Sequence, residues 1–278
     1  MNLVLKIDDW LKDILVDPIS KQPLTKENTT WHSSTGFIYN EYKGIPDFRI
    51  RFTQTEEQWK VGQEVFEDWL KNNYLKKGEQ DKSVYDNEIK IDAPMYEQLT
   101  LDGRVLDVGG QLGHIRRYMS KNQEYCSIDP FITVPFLVEG CKNLFKAYPY
   151  HLPLNFIGGF AEFLPFKDAS FDTVNMRSCI DHFFSPEIAL LEAYRVLKPN
   201  GKLIIGMSVE QKNVKSFVKD KVRGVLGLFN HKFLDHHIWH PEHQALLDLC
   251  TSKRFVLQKE IWQSDSVIYV EFRKTKWQ

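Results

Sequence analysis

From Arg104 onward the chain alternates short apolar runs with helix-length stretches, and few architectures accept that rhythm. RVLDV, EYCSID, LNFIGG, FDTVNM and GKLIIGM are each of strand length. LGHIRRYMS and PEIALLEAYRVLK fall between them as predicted helices, the second with Leu190, Leu191, Tyr194 and Leu197 on one face. A strand joined to the next strand through a helix is a parallel pair. The block therefore predicts a doubly wound α/β sheet, mostly parallel and covered on both faces. The chain closes with FVLQKEIW, the turn-like QSDS and VIYVEFRK. A link that short cannot make a parallel crossover, so the last two strands form an antiparallel hairpin.

Two other textures precede this block. Residues 1–52 read as a small α+β unit, a helix-like start followed by short aromatic and β-branched runs punctuated by Pro, Asn, Ser and Gly. Residues 53–100 are polar with Trp59, Val61, Val65, Phe66, Trp69 and Leu70 at helical spacing, which predicts a helical linker or cap. Residues 101–278 then form the main domain, with a lid-like insertion at about 209–240.

Charge and cysteine usage exclude several classes. Among 278 residues, 36 Lys and Arg stand against 37 Asp and Glu, a net charge of −1. That balance argues against a protein living on phosphate contacts to nucleic acid. No apolar run approaches the roughly 18 residues of a membrane span, and the charged N-terminus MNLVLKIDDWLKDILVDP is not built as a signal peptide. Cys126, Cys141, Cys179 and Cys250 are widely spaced with no CxxC pair. They read as structural thiols of a cytoplasmic protein, with no zinc knuckle or disulfide frame.

Chemistry is expected where the first strand of the α/β block turns into its helix, because ligands of such sheets sit beyond the carboxyl ends of the strands. The segment is VLDVGGQLG, with Gly109, Gly110 and Gly113 giving a tight turn and Asp107 a carboxylate. No P-loop lysine is present. Asp129 ends the second strand about twenty residues later, a position suited to a ribose hydroxyl pair in dinucleotide and nucleoside cofactors alike.

The downstream segments AEFLPF, SFDTV and RVLKPNGKLII distinguish those two cofactor types. In order and spacing, about residues 100 to 208 resemble class I S-adenosylmethionine-dependent methyltransferases. That group includes ubiquinone/menaquinone C-methyltransferases and many sugar and natural-product O-methyltransferases. The resemblance implies a Rossmann-like methyltransferase sheet with S-adenosylmethionine as cofactor. It places Asp107, Gly109, Gly110 and Gly113 at the methionine end and Asp129 on the ribose. Pro130, Ala161 and Glu162 would lie at the adenine, and Arg177 and Ser178 along the cofactor. It departs in one place: where the family prefers DxGxGxG this chain reads DVGGQLG, with Gln111 at the central glycine. His182, in SCIDHFF, stands where relatives keep an active-site histidine, and Asp181 beside it would assist or orient it as general base.

ILVDPISKQPL followed by GFIYNEYKGIPDF is similar to the small zinc-ribbon-like activators of RNA and protein methyltransferases, but Asp17 stands at the cysteine position. Without thiolates no tetrahedral zinc is expected there. Trp31, Phe37, Tyr39 and Phe48 are expected to hold the unit together and to set it beside the acceptor pocket. KNVKSFVKDKVRGVLGLF reads as an amphipathic insertion, either a lid over the substrate, simple packing, or a contact with an anionic membrane surface. His231, His236, His237, His240 and His243 read as substrate-facing residues rather than metal ligands, with Pro241 marking a helix start.

The resulting expectation is a methyltransferase acting on a hydroxyl of a sugar, glycan, lipid-linked precursor or other small molecule. The alternatives are an RNA methyltransferase, suggested by the activator-like start, and a methyltransferase-like binding module that Gln111 has silenced. Oligomeric state stays open.

Overall fold

The computed structural model describes residues 3–50, 56–210 and 239–275. Its main sheet has seven strands: β5 (Val105–Val108), β6 (Tyr125–Asp129), β7 (Phe156–Gly158), β8 (Phe171–Arg177), β9 (Leu197–Ser208), β10 (Phe255–Trp262) and β11 (Val267–Lys274). They lie in the order β10-β11-β9-β8-β5-β6-β7. β5 to β9 pair in parallel, and only β11 against β9 and β10 against β11 are antiparallel. Strand order reverses at β5, so the switch point falls on the glycine-rich turn. A class I methyltransferase sheet with its C-terminal hairpin is therefore the fold.

Strand alternation divides the sheet into two unlike faces. Leu106, Val108, Cys126, Ile128, Val174, Met176, Leu203 and Ile205 all point to one side, where they bury against α1 (Asp9–Ile14), α6 (Pro186–Val196) and α7 (His243–Ser252). Burying such a side chain fully is worth about 1.5–3 kcal/mol, so this face anchors the domain. The residues between them, Asp107, Ser127, Asp129, Thr173 and Asn175, turn buried polar groups to the other side. That side is covered by α4 (Ser83–Gln98) through Met95, Tyr96 and Leu99. Ahead of α4 come α2 (Glu56–Trp69), a π-helical turn over Leu70–Leu75 and α3 (Lys76–Gln80), which with α5 (Lys142–Ala147) enclose a third apolar cluster around Tyr85, Leu112 and Tyr150.

Residues 3–50 hold α1 and a four-stranded antiparallel sheet, β1 (Leu24–Glu27), β2 (Thr30–Ser33), β3 (Ile38–Tyr42) and β4 (Ile45–Pro46). This segment shares the core of the main sheet. Trp31, Tyr39 and Phe48 belong to the same buried cluster as Leu106 and Val174, while Phe37 is 46% exposed and lies outside that cluster, stacked on Tyr39 with ring centroids 6.5 Å apart. The backbone bridges Leu5 to Leu154 and Asp47 to Gly158, so the segment covers the edge of β7 that would otherwise offer unpaired amides. Asp17 organises the loop where the activators carry cysteine. Fully buried, it accepts from the amides of Ile19 (2.7 Å) and Ser20 (2.8 Å) and from the Tyr39 hydroxyl (3.4 Å).

Two sequence expectations need correction. The helix read into LGHIRRYMS is only a 3₁₀ turn over His114–Tyr118. Met119 is already extended, and the turn is held instead by Arg116 donating to the carbonyls of Leu152 and Pro153. On α6 the buried face is Ala189, Leu190, Ala193 and Tyr194, whereas Leu191 is 52% exposed and Leu197 opens β9. The amphipathic insertion and His231, His236 and His237 lie outside the described residues. The ends of that insertion meet, the Glu210 amide donating to the Pro241 carbonyl at 2.9 Å. α7 starts just after Pro241, as that proline suggested.

Candidate functional site

At the carboxyl ends of β5 and β8 a cleft of about 230 Å³ opens between the sheet and the helical cap. Its sheet wall is Asp107, Gly109, Gly110, Gln111, Arg177 and Ser178. Its cap wall is Phe66, Trp69, Leu70, Tyr74 and Glu88, with His114 and Ile115 at the join. Five of the sequence-predicted residues thus meet in one place, and no residue of the N-terminal segment lines it.

The loop is shaped as the glycines require. Gly109 and Gly113 have φ of +69° and +74°, and Gln111 between them takes the left-handed φ of +43°, a conformation that costs a side-chain-bearing residue on the order of 1 kcal/mol. Gly110 is required for space: a Cβ there would lie 2.4 Å from the Asp107 carboxylate. Asp107 is oriented from below, accepting from the Tyr125 hydroxyl (2.7 Å) and Asn175 Nδ2 (2.8 Å). Burial raises its pKa to about 6, although those two donors oppose the shift.

Beside it runs a polar network on the sheet's second face. Arg177 donates to the Tyr269 hydroxyl (2.9 Å) and pairs with Asp92 (2.8 Å), with Glu88 3.6 Å away. Glu88 accepts from the hydroxyls of Tyr74 and Tyr148. Burial would raise the Glu88 pKa, but His114, Tyr74 and Arg177 together hold it well below the usual carboxylate range. Glu88, Asp92, Tyr74 and His114 were not singled out from the sequence. The i, i+4 acids of DNEIKID and the histidine next to Gly113 were the available signals.

The remaining predicted residues lie apart from this cleft. Asp129 is 3% exposed, and its carboxylate accepts from the amides of Phe131 (2.8 Å) and Gln111. Burial drives its pKa to about 7. Pro130 offers its carbonyl to Arg49 (3.0 Å), a residue of the N-terminal segment that is itself paired with Asp47. Ala161 and Glu162 are buried on a 3₁₀ turn, and Glu162 accepts from the Ser185 amide (3.2 Å) and has a pKa raised by burial. Asp181 and His182 sit on the Ile180–His182 turn after β8, where the Asp181 carbonyl accepts from the Trp239 amide (3.2 Å). Neither lines the cleft. Gly113 packs under Tyr125, where a Cβ would lie 3.0 Å from its hydroxyl. Among the described residues no three His, Cys, Asp or Glu side chains group as metal ligands do. No helix among them is long and apolar enough to cross a membrane.

The cofactor implied by the sequence fits this site in part. The cleft offers acids, a guanidinium and a backbone turn at the methionine end. Its volume is below the roughly 300–1,000 Å³ usual for a ligand pocket. Phe66, which lines the cleft, stacks on Phe131 just beyond Asp129 and Pro130, with ring centroids 5.3 Å apart.

The family model described as a methyltransferase domain matches residues 106–205. A ubiquinone/menaquinone biosynthesis C-methyltransferase of Ruegeria sp. is 39% identical over 103 residues, 37% of this chain and 41% of that protein. The chain thus spans well under half the length of that relative. Among solved structures, one chain of a complex between a methyltransferase activator and a methyltransferase of Haloferax volcanii superposes with a TM-score of 0.53 at 14% identity, covering 76% of this chain and 98% of that one. The Burkholderia thailandensis 1,6-didemethyltoxoflavin-N1-methyltransferase, bound to 1,6-didemethyltoxoflavin and S-adenosylhomocysteine, gives 0.51 at 12% identity over 91% of this chain and 99% of that one. Both structural likenesses speak to the fold.

Proposed function

We propose that this chain is an S-adenosylmethionine-dependent methyltransferase acting on a small aromatic acceptor. The observation that carries the reading is the convergence of DVGGQLG, Arg177 and Ser178 on one cleft at the switch point of the sheet. The domain match over residues 106–205 supports the same reaction. For the acceptor, the names of the quinone-methylating relatives and the aromatic cap wall of Phe66, Trp69 and Tyr74 favour a flat phenolic or quinol ring over a sugar or lipid hydroxyl.

Bound in this cleft, S-adenosylmethionine would supply a methyl carbon already made electrophilic by its sulfonium. The protein has then to position and to exclude water. Asp107 and Arg177 would hold the amino and carboxyl ends of the methionine, Ser178 would follow its chain, and Asp129 would take the ribose hydroxyls after giving up its loop amides. Trp69 and Tyr74 would close over the reacting atoms, while Phe66 would have to leave Phe131 for the adenine end to enter.

Thermal unfolding with S-adenosylmethionine and S-adenosylhomocysteine, and with NADH and ATP as controls, tests this. At 100 times its dissociation constant a ligand of the native state adds about 2.7 kcal/mol, a Tm rise of roughly 5–10 °C at this chain length. A rise with the two sulfur compounds alone is expected. No rise with either would return the silenced binding module to the front. Mass spectrometry of 1,4-naphthohydroquinone, catechol and methyl glucoside after incubation with S-adenosylmethionine then ranks the acceptor classes.

A further inference from the structure

The loop after β6 begins at Asp129 and is gripped from two sides. On the cap side the Thr133 hydroxyl donates to Glu67 and accepts from Gln63 Nε2 (3.1 Å), and Phe131 stacks on Phe66. On the other side stands Arg49 of the N-terminal segment, which donates from Nη1 to the Pro130 carbonyl at 3.0 Å. Asp47 fixes that guanidinium in both position and plane, accepting from Nε at 2.7 Å and from Nη2 at 2.8 Å. Asp47 is itself seated on the main sheet. Its backbone bridges to Gly158, and the next amide, that of Phe48, donates to the Gly158 carbonyl at 2.7 Å. Glycine is needed at that contact, because a Cβ would lie 2.6 Å from the Ile132 side chain and 3.2 Å from the Asp47 carboxylate.

The carbonyl of Pro130 and the amide of Phe131 belong to one peptide unit, which is planar and turns as a whole. That amide donates to Asp129 Oδ1 at 2.8 Å. A donor on the oxygen end of the unit therefore fixes the direction of the hydrogen at the other end. A charged donor also polarises the unit and strengthens its second hydrogen bond. We propose that Arg49 is a positioning residue for the nucleoside end of the cofactor: by holding the Pro130–Phe131 peptide it sets where the Asp129 carboxylate stands. This role rests on the methyltransferase reading, in which Asp129 takes the ribose. It gives the N-terminal segment a part in cofactor binding although none of its residues lines the cleft. The two grips on the loop then act in opposite senses. Phe66 has to leave Phe131 before the adenine end enters, so the cap side yields. Arg49 stays, and keeps the loop in its binding shape.

Amide hydrogen exchange followed by NMR on the full, ligand-free chain tests the lock itself. In Arg49→Ala the Phe131 amide should exchange at least about tenfold faster, while the amides of Leu106 in β5 and Val174 in β8 keep their rates. An unchanged Phe131 rate, or a rise shared by the sheet, overturns the lock.

Calorimetric titration with S-adenosylhomocysteine tests what the lock is for. Arg49→Ala should weaken binding about tenfold, the cost of ordering one freed peptide unit when the ligand binds. Arg49→Lys keeps a charged donor for the carbonyl and should return the affinity to within about threefold of wild type. A lysine variant no better than alanine would mean that donation to the carbonyl is not what matters, and would overturn the role. If the wild-type chain binds no S-adenosylhomocysteine, the methyltransferase reading fails and the role falls with it, while the exchange rates still decide whether Arg49 holds the loop. A chain that binds the ligand but is indifferent to Arg49→Ala leaves that reading standing and overturns this role alone.

Discussion

Replacing Asp129 by Asn should make this protein more stable and a poorer binder of its cofactor. The carboxyl group is 3% exposed, and burial has moved its pKa from the ordinary 3.8 to about 7. A carboxyl whose folded pKa is raised binds its proton more tightly in the native state. It therefore contributes most below the unfolded value and loses that contribution as pH rises through the folded one. Between pH 3.8 and 7 the loss accumulates at 1.36 kcal/mol per unit, so the charged group costs roughly 2 kcal/mol at pH 5 and roughly 4 kcal/mol at pH 8. Asn removes the charge. Its single carbonyl oxygen keeps one of the two loop amides, those of Phe131 and Gln111, and giving up the other returns about 1–3 kcal/mol. The net expectation at pH 8 is a gain of about 1–3 kcal/mol, read as a higher urea midpoint, and a gap from wild type that narrows by roughly 2 kcal/mol at pH 5. Calorimetric titration with S-adenosylhomocysteine should show affinity falling about ten- to hundredfold, because a charged acceptor for the ribose diol has gone. A variant less stable than wild type at pH 8, or a gap that ignores pH, would refute the reasoning. Unchanged affinity would remove Asp129 from the cofactor site.

Phe66→Ala should tighten S-adenosylhomocysteine binding about two- to tenfold, because the ring that stacks on Phe131 must leave before the adenine side can fill and such a pair is worth about 0.5–1.5 kcal/mol. Weaker binding in isothermal titration would instead make Phe66 part of the wall that holds the ligand. Asp17→Ala should cost about 2–4 kcal/mol in urea unfolding, since it strands two amides and the Tyr39 hydroxyl in a buried loop. It should leave S-adenosylhomocysteine affinity within about threefold, as no residue of that segment lines the cleft.

What the sequence made legible follows from how each feature is encoded. Strands β5 to β9 and the hairpin were readable because apolar runs of fixed length leave little choice once a turn follows them. Asp107, Gly109, Gly110, Arg177 and Ser178 came together because all belong to two strand ends that topology places side by side. The helix after Gly113 was overcalled: HIRRY has helical residues, but Arg116 and Arg117 spend their guanidinia on carbonyls of the 147–153 segment instead of on a longer helix. Leu191 was misassigned because a single apolar residue can sit on the solvent side of α6 without a signal in the periodicity. Glu88 and Asp92 left only their i, i+4 spacing as a signal, and Tyr74 left none. They reach the site through the way the cap docks on the sheet, a long-range fact that spacing alone does not carry.

The position of the chemistry can itself be argued from the pleat. β5 carries Leu106 and Val108 on one side and Asp107 on the other, and β8 carries Val174 and Met176 against Asn175 and Arg177. Both strands switch from apolar to polar in the same register, so one face is a continuous core and the other holds charge under a lid. Burying Asp107, Asp129 and Glu162 with raised pKa values costs stability that apolar residues would not have cost. A sheet that only needed to fold would have no reason to accept that cost at its switch point. The first face supplies the compensation: its Leu, Ile, Val and Met side chains are fully or nearly fully buried. Buried polar groups occur elsewhere too, Asp17 and Lys202 among them, but at the ends of β5, β6 and β8 they are gathered together, which is the pattern of a site rather than of a core.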